Sequence, residues 1–590
     1  MANSPIRRQI VKMLGALPLV ADFMRRLGIE ATVDRLCPSR GNAHLTHGQV
    51  VLAILANRLT QPQALYHLLD WARDGAVGET FGFDAALLND DRLARCLDAL
   101  ALQIDAIQGS VLVQAVAAFG LDLRQLHWDL TSVVLDGAFD PETAPTVAPK
   151  GLHPYPQPAY GYGGISDQKQ LRVGELVSSD GLVPIFHRSF DGNQADVGTV
   201  VSLMNEVRQH VSLPECLVIG DSKLLSADVI QKLRGQDLHF LTPLASSAEL
   251  HAEFLGLPEE GWKELDYVSQ EQAKRPPEKR HVYRGQEVAW TWHNPQTGRD
   301  EEFRRLYVIS SEERNTCRST RNRRLVQAGQ ELNALLEKQL AAAEKAAHRQ
   351  SPRDQPRRAK KEVSLSEETL QAEADAKAEA AGKAETARKR AEQREKLLRR
   401  AAAILQHRHV EQLMRVGART VAGSPELTWE IDAEALAAAE RLDGYYVLLC
   451  SWPPAQASSH ELLRRWKQQV LAERRFHEWK GPLRVRPVFV TSPKRMAAFM
   501  LLLHLALLVF CLIERAARRA LAARGETKLP NLLAGHVAAV PTGANILLAF
   551  QHLFLIVEED PPRREFHVTE MKPVQRELWR LLDAQMPTFA

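Results

Sequence analysis

The run Leu126-His127-Trp128-Asp129-Leu130-Thr131-Ser132-Val133-Val134-Leu135 decides how the chain folds. Its length and its apolar, partly β-branched residues predict a strand. A carboxylate left unpaired inside such a strand is costly to bury. Asp129 therefore needs a partner from elsewhere in the chain.

Downstream, Lys169 to Val177, Val183 to Phe190 and Cys216 to Gly220 are further β-rich runs, followed by Leu238 to Leu241. Ser178-Ser179-Asp180-Gly181 and Phe190-Asp191-Gly192-Asn193 are turn signals on either side of the third run, so the first three runs are expected as consecutive antiparallel strands. A helix over Asp196 to His210 leads into the fourth, Leu217-Val218-Ile219-Gly220-Asp221. A carboxylate leaving the C-terminal end of a strand is where α/β proteins place chemistry. This order, with an acid inside the first strand and another at the end of the fourth, is the RNase H-like pattern. Taken alone, each aspartate is more often a loop or structural acid.

A third acid changes that balance. Gly444 to Cys450 reads as a strand, and a helix follows from about Ser459 to Trp479, stopping at Gly481-Pro482 before a strand-like Val485 to Val490. Glu473 lies on this helix. Phosphodiester chemistry by two metals needs converging carboxylates that hold Mg²⁺ ions about 4 Å apart, and an oxygen-only ligand set suits such hard cations. The candidate catalytic and metal-holding residues are thus Asp129, Asp221 and Glu473.

The fold class is α/β, an RNase H-like core interrupted by a long insertion and preceded by an all-α domain. The expected divisions are a helical domain over 1–120, the first part of the core over 121–243, a mainly β insertion over 244–320, a charged helical arm or coiled coil over 321–415, the second part of the core over 416–535, and a helical tail over 536–590. In the arm, Arg321 to Arg400 carries 20 basic and 13 acidic residues, and Gln350 to Lys361 divides it into two helices. In the insertion, Trp290 and Trp292 share one side of a strand, where ordinary sheet packing is expected.

Net charge is +3, from 75 Lys plus Arg against 72 Asp plus Glu, so the distribution of charge matters more than its total. Basic clusters at Arg464 to Lys480 and Arg515 to Arg524 suit an anionic partner such as nucleic acid. Six scattered cysteines fit neither a disulfide framework nor a zinc site, and point to a reducing cytoplasm. Met496 to Ile513 is an apolar run interrupted only by His504. Its length admits a membrane span, but a fully buried core helix is the expected reading, and no membrane partner is expected.

These residues resemble the DDE transposases of bacterial insertion sequences, specifically the branch of the insertion-sequence-four superfamily with an extra helical N-terminal domain. Asp129-Leu130-Thr131-Ser132 resembles the first catalytic block and Val218 to Asp221 the second. Residues 20 to 100, including Asn57 to Asp70, Asn89-Asp90-Asp91-Arg92-Leu93 and Leu97-Asp98, resemble the N-terminal domain. The third block has the spacing Y-(2)-R-(3)-E-(6)-K. Glu473 and Lys480 match it, while Trp466 and Gln469 stand at the tyrosine and arginine positions, so that all four fall on one helix face.

The resemblance implies Mg²⁺, with Mn²⁺ as substitute, and a homodimer that pairs two terminal inverted repeats, hydrolyses their 3′ ends and joins them to target double-stranded DNA at the nucleoid. Lys480, Trp466, Arg474 and Arg475 are the expected DNA-binding residues; Trp466 either stacks on a base or packs in the core. The alternatives are a catalytically inactive DNA-binding relic and an RNase H-like nuclease without strand transfer.

Overall fold

The computed structural model describes residues 8–135, 148–149, 152–161, 168–193, 199–222, 226–269, 271–295, 297–349, 365–421, 424–481, 483, 490, 492–560 and 563–590. They form two compact units. One comprises 1–245, 287–306 and 448–590, and the other 246–286 and 307–447.

The first unit is built on a mixed sheet. Gln125–Val134 pairs antiparallel with Lys169–Ser178, which pairs antiparallel with Pro184–Phe190, as the turn signals require. On its other side Gln125–Val134 runs parallel to Leu217–Ile219, which runs parallel to His239–Pro243. The helix Thr199–His210 makes the crossover between the third and fourth of these strands. Leu448–Cys450, the end of the strand Tyr445–Cys450, adds antiparallel to His239–Pro243. The parts of Asp300–Ser310 and Tyr283–His293 that lie within Glu287–Leu306 complete the order. This is the RNase H-like order the sequence suggested. The Val485 to Val490 strand falls almost wholly outside the described residues.

One helix, Pro493–Ala522, explains the apolar run. Every residue from Met496 to Arg515 is buried. It packs against the strand Pro184–Phe190 and against the helices Leu17–Arg26, His47–Thr60, Asp90–Leu100 and Ile104–Phe119. A helix that is apolar all round must be covered all round, and the N-terminal helices supply that cover. Its length and hydropathy are those of a membrane span, yet its whole apolar window lies inside the protein. Residues expected as a separate N-terminal domain therefore belong to the same compact unit and share one hydrophobic core with the sheet. Asp98 of the Leu97-Asp98 pair fastens this contact, accepting hydrogen bonds of 3.0 and 2.7 Å from Arg495.

Two boundaries differ from expectation. The N-terminal region is helical from Leu17 to Phe119 but opens with a strand, Arg8–Met13. That strand pairs with Phe554–Asp560, which pairs with Arg563–Val568, so the C-terminal tail is not purely helical. The alternation of Ile10 and Lys12 with Gln9 and Val11 is too short to separate strand from helix by period alone.

In the second unit, helices Ser311–Arg349 and Leu365–Arg408 form the expected pair, with Leu325, Ala328 and Leu332 packed on Leu397, Ala401 and Leu405. A β-hairpin, Met414–Val421 with Ser424–Ile431, caps this small core through Met414 and Leu427. Arg321 is held by Asp443 at 2.6 and 2.7 Å. Ahead of the arm, Ala248–Gly256 is helical, so 244–320 is less purely β than expected.

Leu507, fully buried on the central helix, tests the burial. Leu507→Ala is expected to lower unfolding free energy by about 2–5 kcal/mol, the usual cost of such a cavity, measured by denaturant unfolding.

Candidate active site

Asp129 sits midway along its strand, so its side chain emerges on the same face as those of His127 and Thr131. Ile219 lies beside His127 in the parallel pair. Asp221 follows two residues later, past the end of that strand. Beyond the strand end, the backbone at Asp221 is held by Thr242, whose hydroxyl donates to the Asp221 carbonyl at 2.7 Å.

Glu473 arrives on the helix Gln469–Lys480. The expected single helix is two helices: Ser459–Lys467 ends with Gln468 as its cap, and the second begins at Gln469. Trp466 thus belongs to a different helix from Glu473, which corrects the reading of one continuous face. From Gln469 onward the face is regular. Positions 469, 473 and 480 lie within about 40° of one another around the helix axis at 100° per residue.

That face is hydrogen-bonded to the Asp129 strand at both ends. Gln469, buried, accepts from His127 Nδ1 at 2.8 Å through Oε1 and donates to the Trp128 carbonyl at 3.2 Å through Nε2. Lys480 Nζ donates to Thr131 Oγ1 at 2.6 Å. Glu473 lies between the two contacts along the helix, as Asp129 lies between His127 and Thr131 along the strand. A second layer holds His127, whose Nε2 is 2.9 Å from Ser179 Oγ, while Gln125 bonds Gln468 at 3.0 Å and receives Arg465.

The electrostatics show the acids gathered together. Burial pushes the Asp129 carboxyl up to about 7; the Leu130 N–H at 2.8 Å opposes this, Glu473 and Asp221 add to it, and Arg172 opposes it. Burial and then Asp221 raise Glu473 as well. Burial pulls Lys480 down, with Asp129 acting upward and Arg172 downward. An Asp129 carboxyl raised by burial and by two neighbouring acids, Glu473 and Asp221, marks a site whose charge favours a cation. Their all-oxygen donor set fits Mg²⁺ or Mn²⁺.

Opposite Asp129 in the antiparallel pair stands Glu175, 1% exposed. His504 Nδ1 lies 2.9 Å from its Oε2. Burial raises the Glu175 carboxyl, and His504 opposes the rise. The polar residue that interrupts the apolar helix is thus the partner of a carboxylate adjoining the site.

The expected DNA-binding residues divide. Lys480 is exposed beside Asp129, and Arg474 is exposed with no hydrogen bond or ion pair among the described residues. Trp466 is half-buried. Arg475 corrects its expectation. It is 3% exposed and bonds Glu514 at 2.9 Å, Glu478 at 2.5 Å and the carbonyls of Leu182 and Gly181 at 3.0 Å each. A guanidinium so enclosed fastens the helix to the core. Trp290 and Trp292 both rest on Phe303, with ring centroids 6.0 and 5.9 Å away, as sheet packing requires.

Sequence reasoning missed His127, Gln469 as an anchor, Thr131 and Arg172. His127 and Gln125 were visible as polar residues alternating into an apolar strand, and buried polar groups demand partners. Among the described residues, two groups bring three possible ligand atoms within 4.8 Å of one another, and neither includes Asp129, Asp221 or Glu473. Asp105, His153 and Glu206 bring ligand atoms within 4.8 Å of one another, but Arg188 already lies against both carboxylates. Glu558, Glu565 and His567 lie on the C-terminal hairpin.

A family model described as a transposase DDE domain matches residues 153–509, and one described as a domain of unknown function (DUF4277) matches 9–107. The first match takes in Asp221 and Glu473 and begins downstream of Asp129. Among solved structures, the chain is similar to one titled "Cryo-EM structure of piggyBac transposase synaptic complex with hairpin DNA (SNHP)". The identity is 8%, 92% of this chain and 82% of that chain are covered, and the TM-score is 0.36. No curated protein matches.

Two outcomes follow from the site. The folded chain holds a proton on Asp129 more tightly than an unfolded chain does, its carboxyl being raised from 3.8 to about 7. The stability this lends is complete below about pH 4 and is lost as pH rises through about 7. Asp129→Asn in metal-free protein should therefore melt at least ~2 °C above wild type at pH 8, the gap closing near pH 4 in a calorimetric series. Arg475→Met, which leaves buried Glu514 with Arg518 and the Gly543 N–H and takes the ion pair from half-buried Glu478, should cost about 1–3 kcal/mol in unfolding free energy. DNA affinity of the folded variant, measured by anisotropy, should stay within twofold.

Proposed function

We propose that this chain, which belongs to the DDE transposase family, cuts the ends of a mobile DNA element and joins them to target DNA, using Asp129, Asp221 and Glu473. The observation that carries this reading is that the helix bearing Glu473 is hydrogen-bonded along the Asp129 strand at both ends, with Glu473 and Asp221 both acting on the buried Asp129 carboxyl. We read the element as a bacterial insertion sequence of the insertion-sequence-four type, with terminal inverted repeats as the recognised DNA.

Divalent ions held by the three carboxylates, Mg²⁺ or Mn²⁺, would supply Lewis-acid activation of the attacking oxygen and stabilisation of the leaving one. The protein fixes the carboxylates in place before DNA arrives, through the hydrogen bonds of Gln469 and Lys480. In the first reaction a water oxygen bonds to the phosphorus as the P–O3′ bond breaks, leaving a 3′-hydroxyl and a 5′-phosphate. In the second, that 3′-hydroxyl attacks a target phosphodiester, so one P–O bond replaces another and no oxidant or nucleotide is consumed. Lys480 places an ammonium next to Asp129, where it faces the phosphate to be cut. Arg474 and Trp466 offer a free cation and an aromatic ring to the flanking DNA. The helices between Leu17 and Phe119 are the candidates for end recognition. Pairing of two ends implies a homodimer working on DNA at the nucleoid.

The test is incubation of purified protein with a plasmid carrying the inverted repeats that flank its gene, in Mg²⁺ and in Mn²⁺. Cleavage at the repeat ends and joined products are expected. Asp129→Asn, Asp221→Asn and Glu473→Gln should each lose on the order of 10²–10³-fold in rate, the cost of removing one stabiliser of developing charge. Binding without cleavage in either metal would mark a DNA-binding relic, and cleavage without joining would mark a nuclease.

A further inference from the structure

Gln469 stands one helical turn before Glu473 and on the same face. It is 3% exposed, and His127, its partner, is fully buried. The orientation of the Gln469 amide follows from its neighbours. The Trp128 carbonyl can only accept, so Nε2 must face it, and Oε1 must then accept from His127 Nδ1. His127 consequently carries its proton on Nδ1 and presents a bare Nε2 to the Ser179 hydroxyl at 2.9 Å. Each polar atom of the glutamine head has a partner, and every partner belongs to the Asp129 strand or is held by a residue beside it.

We propose that Gln469 is a positioning residue for Glu473. Its two hydrogen bonds fix the sliding and rotation of the helix on the strand, and so set where the Glu473 carboxylate stands relative to Asp129 and Asp221. Lys480 pins the other end through Thr131, but by a single flexible side chain. Gln469 has a short, buried reach and two bonds, one of them to backbone, and carries the greater constraint. An arginine at this position could only donate, so His127 would have to take the other tautomer and the acceptor bond that Gln469 supplies would be lost. This inference rests on the triad assigned above.

The measurement is Mn²⁺ affinity of the metal-free protein by titration calorimetry, for wild type, Gln469→Met and Trp479→Phe, with melting temperature and Mg²⁺-dependent cleavage recorded alongside. Gln469→Met keeps the volume and removes both hydrogen bonds. Trp479→Phe alters packing on the same helix, where Trp479 is fully buried. We expect Gln469→Met to weaken Mn²⁺ binding 10–100-fold, the effect typical of losing a group that orients a ligand. Cleavage should recover as the metal concentration is raised, and Trp479→Phe should lower the melting temperature without moving the affinity. Unchanged affinity in Gln469→Met, or equal weakening in Trp479→Phe, overturns the inference. Wild type that binds Mn²⁺ and cuts no DNA would instead fail the proposed function alone, and wild type that binds no Mn²⁺ would fail both.

Discussion

The hydrogen bonds that lay the helix Gln469–Lys480 along the strand Gln125–Val134 are the constraint on which the site depends. The two elements are separated by more than 300 residues of sequence, and no local preference brings them together. Their spacings agree: the four strand steps from His127 to Thr131 span about 13 Å, and the eleven helical steps from Gln469 to Lys480 span about 16 Å. The anchors thus meet at both ends while the two acids meet between them. Holding Asp129 charged is unfavourable in the free protein, chiefly because it is buried and further because Glu473 and Asp221 are its neighbours. The favourable terms that offset it are the neutral hydrogen bonds of Gln469, the Arg475 pairs with Glu478 and Glu514, and the packing of the central helix.

That helix accounts for much of the remaining architecture. A buried Pro493–Ala522 needs cover on every side, and the N-terminal helices provide it from across the sequence. The cost of its single internal imidazole is met by Glu175, and the pair adjoins Asp129 through the strand register. Stability and site are coupled here. The N-terminal helices, if they read DNA ends, do so from a surface packed on the helix that supports the site's own strand pair.

Much of this was legible in the sequence, for physical reasons that differ by element. The three antiparallel strands announced themselves through alternation and turn residues, and the acids stood out because a carboxylate in an apolar run must be explained. The apolar helix was readable as buried, with His504 as its one interruption. Other features were not. The break at Gln468 leaves its backbone helical, so no residue marks it. Arg474 and Arg475 are adjacent and alike in sequence, yet 100° of helix rotation turns one to solvent and the other into the core. The roles of Gln469 and Lys480 depend on partners more than 300 residues away, and pairing at that range leaves no trace in periodicity. The strand Arg8–Met13 is fixed by its C-terminal partner Phe554–Asp560 rather than by its own pattern.

Asp129, Asp221 and Glu473 together are proposed as the cation site. Crystals soaked in Mn²⁺, with data collected to reveal anomalous scattering from manganese, are the decisive measurement. Anomalous density is expected among these three carboxylates and is lost in Asp129→Asn. Density only at Asp105, His153 and Glu206, or only at the C-terminal hairpin, would contradict the proposal.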